Sequence, residues 1–265
     1  MLRALLERGI TPDVIIGTSA GAWNGSVIAA NPTLEGVEDL ITMWETIRGE
    51  EVFPGGRLSR AWNLLTRDDH LFSDQGLRTL LERAATPARF EELTLPLRVV
   101  SCDLDSGDEV VFAAGPLIPA LLASAALPGL FPPVRHDGRT LVDGAVVNTV
   151  PLWHAISGPV DRIYVLTVTG EMMRRPLRSP IDVALRAFTI SRKQRFELEL
   201  RNVPPGIEVH VMPAPNDDRE FFDFSDPLMI IEESHHLAER YLDEAELERN
   251  QRSSLRRSWW RRYVS

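Results

Sequence analysis

The 265-residue chain holds one cysteine, Cys102, so no disulfide can form within it, and no disulfide-linked partner is expected. That composition suits a reducing compartment, and cytoplasmic residence is the expectation. No apolar run reaches the roughly 18 to 20 residues needed to span a bilayer. The opening MLRALLERGI breaks its apolar run at Glu7 and Arg8, unlike a secretory signal. A net charge of −9 argues against nucleic acid as the main partner, since binding a phosphate backbone needs a basic face. Lysine is almost missing: of 29 basic residues only Lys193 is one. The acidic stretch DLDSGDE lacks the twelve-residue spacing of a calcium loop and reads as a solvated turn. His235 and His236 are adjacent on a helical stretch, so they should point about 100° apart, too divergent to chelate one ion. No metal and no cofactor is therefore expected.

What is present is an ordinary globular balance, 44% hydrophobic and 25% charged, in a chain long enough for a sizeable core. Residues 2 to 8 predict a helix stopped by Gly9, with Pro12 after it. Asp13 to Ile16 form a short apolar strand. Leu34, Val37, Leu40, Ile41, Trp44 and Ile47 share one helical face. Ser73 or Asp74 caps a helix carrying Leu77, Leu80 and Leu81, and EVFPGGRLSRAW between them reads as a glycine-rich loop. Residues 34–92 thus form a helical insertion. Leu97 to Asp103 and Glu109 to Ala113 predict a hairpin-like pair, with Cys102 as core filling, and Arg135 to Val142 a second hairpin around Asp137 and Gly138. Strands then alternate with helices to a long helix opened by Asp226 and Pro227. The alternation predicts an α/β fold, three-layer α/β/α with a mainly parallel central sheet. Residues 1–245 are expected to be one domain. Residues 246–265 differ in kind, with six arginines against two glutamates and the pair Trp259, Trp260. Such a tail suits peripheral contact with an anionic lipid surface, or a packed terminal helix.

The stretch DVIIGTSAGAWNG carries the arrangement that chemistry rather than packing demands. In G-x-S-x-G, here Gly17, Thr18, Ser19, Ala20 and Gly21, the serine occupies a sharp strand-to-helix bend that exposes its hydroxyl. Glycines tolerate the crowding of such a bend. The first amides of the following helix have no acceptor in the helix, so the N–H of Ala20 is a natural donor to an oxyanion. A serine hydroxyl needs a base. One arrangement is a triad in the order Ser19, Asp143, His154, although the triad fold of that order places several strands before its serine and only 18 residues precede this one. The other pairs Ser19 directly with Asp143, which stands at a strand end in DGAVVNTVP before Gly144 and Ala145.

The segments PDVIIGTSAGAWNG at 12–25, ASAALPGLFPPV at 123–134 and DGAVVNTVP at 143–151 together resemble the patatin-like phospholipase family, in family order and at family-like separations. The resemblance covers roughly residues 1 to 170. It implies a Ser19 nucleophile and an Asp143 base without histidine or metal, acting by acyl transfer on phospholipid or other lipid acyl esters, as the bacterial-type members do. It also implies a glycine-rich oxyanion loop after an initial strand, ahead of the helix that here opens the chain. That loop has no counterpart in this sequence, and Gly55 and Gly56 stand in the wrong place to replace it. A misplaced start, a truncated chain, or a catalytically silent relative that binds lipid or a protein partner are the expectations this departure raises. Transfer of the acyl group to an alcohol is a further one.

Overall fold

The computed structural model describes residues 1–53, 70–84, 87–167, 180–215 and 224–263. Most of the EVFPGGRLSRAW loop, including Gly55 and Gly56, lies outside them. The helices are α1 (Leu2–Glu7), α2 (Ala20–Ala30), α3 (Leu34–Thr46), α4 (Gly49–Val52), α5 (Gln75–Ala84), α6 (Leu117–Ala125), α7 (Leu152–Ile156), α8 (Pro180–Arg201) and α9 (Pro227–Tyr263). The strands are β1 (Ile15–Thr18), β2 (Leu97–Asp103), β3 (Glu109–Phe112), β4 (Val134–His136), β5 (Arg139–Asp143), β6 (Arg162–Val165) and β7 (Glu208–Val211). Local signals end and cap these helices, those at Gly9 and Ser73 where the sequence places them. Gly9 ends α1 with φ +68°, Thr33 caps α3 by accepting the N–H of Gly36 at 3.3 Å, and Ser73 accepts that of Gln75 at 3.2 Å ahead of α5. Asp137 (φ 47°) and Gly138 (φ 77°) form the two-residue turn between β4 and β5, both at positive φ as that hairpin requires.

The architecture is the expected three-layer α/β/α type, with strand pairing more mixed than simple alternation implies. β2 pairs β1 in parallel and both β3 and β5 antiparallel, β4 pairs β5 antiparallel, and β6 pairs β7 in parallel as a separate two-stranded sheet. The β2–β3 and β4–β5 pairs come from hairpins, whose short turns force the chain back on itself, whereas β5 joins β2 antiparallel only after β3, α6 and β4 intervene. β2 is buried at every position except Arg98, with Val99, Val100 and Cys102 inside, as befits a central strand. The main core gathers Trp23 of α2, Phe53, Phe72, Leu80 and Leu81 of α5, and Leu121 and Leu122 of α6 around β2. A smaller cluster locks α1 to the later half of the chain: Ala4 and Leu5 pack with Met212, Ala238 and Leu242.

The register of β2 places the site. Val99 to Cys102 pair β3 along one edge, so β1, paired with Leu97 to Val100, and β5, paired with Ser101 to Asp103, must share the other. β1 runs parallel to β2 and β5 runs against it. The two strands therefore end head to head, Thr18 opposite Val100 and Asp143 opposite the next residue, Ser101.

Candidate active site

Ser19 follows Thr18 at the tip of β1 and is the N-cap of α2, with φ 55° and ψ −126°. A non-glycine residue in that region is strained by about 1–3 kcal/mol and persists only where its surroundings over-determine it. Three contacts do so. The amide N–H of Ser19 donates to Oγ of Ser124 at 2.8 Å, Ser124 Oγ donates to the carbonyl of Val100 at 2.6 Å, and the Thr18 hydroxyl donates to the carbonyl of Asn148 at 3.1 Å. Ser124 is fully buried on α6, so one hydroxyl ties the bend, α6 and β2 together. Sequence reasoning missed it as a site residue. It sits in ASAALPGLFPPV, yet nothing local announces that its partner is the backbone of Ser19.

The glycines divide unequally. A Cβ on Gly17 would lie 2.6 Å from the backbone of Gly21 and Ala22, so only glycine lets β1 and α2 approach this closely. A Cβ on Gly21 would meet nothing within 4 Å, which corrects the expectation that both flanking glycines answer to crowding. Gly144 is held to glycine by the carbonyl of Val100, against which any Cβ would collide. The N–H of Ala20 is the first of α2 and has no acceptor within the helix.

Asp143 is completely buried. Its N–H donates to the carbonyl of Ala126 at 2.9 Å, and its Oδ1 accepts the N–H of Ala145 at 2.8 Å. Oδ2 has no hydrogen-bond partner. Burial pushes the carboxyl up from 3.8 to about 6, against the hydrogen-bonding influence of Ser19, the Ala145 N–H and the positive charge of Arg192, which all pull it down. The Ser19 hydroxyl is thus near enough to act on Asp143, while no bond of full geometry closes on Oδ2. The strand-end register supports the proximity, and hydrogen bonds in sites without substrate are often loosely aligned.

His154 is engaged elsewhere. Its Nε2 meets Oε2 of Glu109 at 2.6 Å, in a network where Arg195 binds both Glu109 and Glu199, and Asn148 donates to both carboxylates. The network joins β3, α7 and α8 and gives His154 a structural partner. Cys102 is buried with its thiol pushed up, chiefly by burial, as core filling requires. His235 and His236 converge more than their adjacency implies: with Glu239 they bring one ligand atom each within 4.8 Å of one another. His235 Nε2 nevertheless meets Glu7 at 2.8 Å, and His236 is exposed, so the cluster reads as a polar contact that ties α9 to α1. No described helix is long and apolar enough to cross a membrane. α9 continues unbroken through residues 246–263.

An open cleft of about 2610 Å³ runs past Ser19 and Asp143, and is bordered by β1, β6, α8 and α9. A strained serine on a strand-to-helix bend, with a buried carboxylate at the neighbouring strand end, defines an α/β protein of the nucleophile-elbow class. The chain belongs to the patatin-like phospholipase family, which matches residues 1–156. It is 30% identical over 171 residues to an NTE family protein of Mycobacterium tuberculosis, covering 64% of this chain and 45% of that one. It is 29% identical over 161 residues to the patatin-like phospholipase domain-containing protein 7 of Rattus norvegicus, covering 57% of this chain and 11% of that one. The chain thus spans less than half the length of either relative. The structure of VipD from Legionella pneumophila aligns with a TM-score of 0.45 at 12% identity, over 92% of this chain and 63% of that chain.

Proposed function

We propose that the protein is a lipid acyl hydrolase that cleaves carboxylic esters through Ser19 and Asp143. The observation that supports this reading is the head-to-head meeting of β1 and β5 on one edge of β2, which brings the Ser19 bend and the end of the Asp143 strand to neighbouring residues of β2, with the buried Oδ2 of Asp143 unbonded. Above about pH 6 that carboxylate is ionised and accepts a proton. As it takes the proton from Ser19 Oγ, the oxygen bonds to the ester carbonyl carbon, and the carbonyl pair moves onto oxygen beside the Ala20 N–H. Collapse of this intermediate breaks the bond to the alcohol, which leaves with the proton held by Asp143. An acyl-Ser19 ester remains. Asp143 then takes a proton from water, hydroxide adds to the acyl carbon, and Ser19 leaves with its proton restored. Family membership supports lipid esters as the substrate class, and the cleft has room for acyl chains. Peripheral lipid contact through residues 246–265 fits the same substrate.

The test is a fluorophosphonate probe with short-chain nitrophenyl esters and phospholipid vesicles as substrates. Labelling at Ser19, together with loss of hydrolysis in Ser19→Ala and Asp143→Asn, is the expected result. A folded protein whose Ser19 is never labelled would favour the silent lipid- or protein-binding relative. A transesterified product in the presence of added alcohol would identify a transferase.

A further inference from the structure

Beyond the segment that matches the family, α8 brings a cation into the cleft. Arg192 is half-buried on this helix, and its guanidinium lies over the ring of Phe188, 4.6 Å from the centroid. One Nη donates to the Thr189 hydroxyl at 3.3 Å, while Nε is buried with no hydrogen-bond partner. Arg192 and Asp143 line the same cleft as Ser19, and α8 packs against the turn at residues 144–146 that follows Asp143. Two buried polar atoms of opposite charge, Nε of Arg192 and Oδ2 of Asp143, are left unbonded on the two sides of this helix–turn packing. A buried carboxylate without a counter-charge takes up a proton and ceases to be a base.

We propose that Arg192 is a positioning residue for the ester hydrolysis assigned above: its fixed positive charge holds Asp143 ionised, which makes α8 part of the active site. The inference rests on the reading of Asp143 as base. The other groups around Asp143 do not supply that charge. β2 presents Ser101, α2 presents Ser19, the following turn presents the Ala145 N–H, and the α6 end presents the Ala126 carbonyl, all uncharged. In the same cleft His154 is held by Glu109 and Lys193 is paired with Glu197 at 3.9 Å. The positive charge of Arg192 opposes the effect of burial on Asp143. Asp143 in turn raises the Arg192 guanidinium, which burial depresses.

The experiment compares wild type with Arg192→Gln, Arg192→Met and Arg192→Lys. The Asp143 carboxyl is titrated by carbon-13 NMR, and kcat/KM for a short-chain nitrophenyl ester is measured across pH. In the two neutral variants the Asp143 titration and the acid limb of the profile should move up together by about one pH unit. KM should change little, and activity should recover at high pH. Arg192→Lys should remain near wild type. Met retains the apolar contact with Phe188 and buries no amide, so it serves where Gln impairs folding. An unmoved Asp143 titration in either folded neutral variant, or an activity loss equal at every pH, overturns the inference. If wild type proves inactive toward every ester, the hydrolase reading falls, and the carboxyl titration still decides whether Arg192 controls Asp143.

Discussion

The amide N–H of Ser19 and the hydroxyl of Ser124 are bonded at 2.8 Å across a sequence separation of 105 residues. The bond matters because the Ser19 backbone is strained, and Ser124 anchors it to the carbonyl of Val100 on β2. A bend held this way is stiff, and a stiff bend fixes where the Ser19 hydroxyl points.

Ser124→Ala removes that acceptor and leaves the Ser19 N–H and the Val100 carbonyl without their partner. A loss of about 1–3 kcal/mol in unfolding free energy is expected, with kcat falling more than KM changes. Urea unfolding and steady-state ester hydrolysis measure the two effects. Unchanged stability would show that the bend is held by other contacts.

Gly17→Ala and Gly21→Ala separate crowding from motif. The added methyl at position 17 would press on backbone 2.6 Å away, whereas at position 21 it meets nothing within 4 Å. The first variant should be unfolded or strongly destabilised, and the second should fold normally with its methyl in the cleft. Thermal melts decide this directly. Equal melting temperatures would contradict the close approach at Gly17.

Asp143 has a raised folded-state pKa, about 6 against 3.8, so the folded protein binds a proton that the unfolded chain releases over that window. Its contribution is therefore fully favourable below pH 3.8 and is lost as pH rises toward 6. Above that, the ionised form carries a penalty on the order of 2–3 kcal/mol. Asp143→Asn should abolish turnover while leaving the fold at least as stable as wild type at neutral pH, because it removes the penalty on the ionised carboxylate, a gain that burial of the amide Nδ2 offsets only in part. A variant much less stable than wild type at pH 7 would refute the penalty. Activity of the wild type should fall below about pH 6 as the base protonates.

His154→Ala breaks its contact with Glu109 and leaves Ser19 and Asp143 untouched. Ester hydrolysis should persist within a few-fold, with a stability loss of about 1 kcal/mol or less. Disappearance of activity from a folded variant would bring the triad back.

Deletion of residues 249–265 takes away the six arginines and both tail tryptophans. Binding to anionic vesicles should weaken, as a sedimentation assay would show, and undiminished binding would remove the tail from membrane contact.

Most secondary structure was legible in the sequence because its causes are local. Gly9, Ser73, Asp137 and Gly138 stop, cap or turn the chain through their own backbone and side-chain chemistry, and they do so where expected, while Thr33 caps α3 by the same local chemistry without having been singled out. Ser19 and Asp143 were legible as candidates because the chain arranges them next to glycines at strand ends. The mixed pairing of the sheet was less so, since alternation of strands and helices does not say which edge a hairpin strand will join. The convergence of His235, His236 and Glu239 depended likewise on rotamers that helical spacing leaves free.

The sequence by itself determined most of the elements and the bend at Ser19, and it made Asp143 a candidate partner for that serine. Tertiary structure decided that β1 and β5 share one edge of β2 and end against each other, that Ser124 holds the bend, and that Arg192 enters the same cleft. The reason is physical. Local conformation follows from a few neighbouring dihedrals and side chains, whereas strand register and the meeting of distant helices are fixed only when the whole core packs.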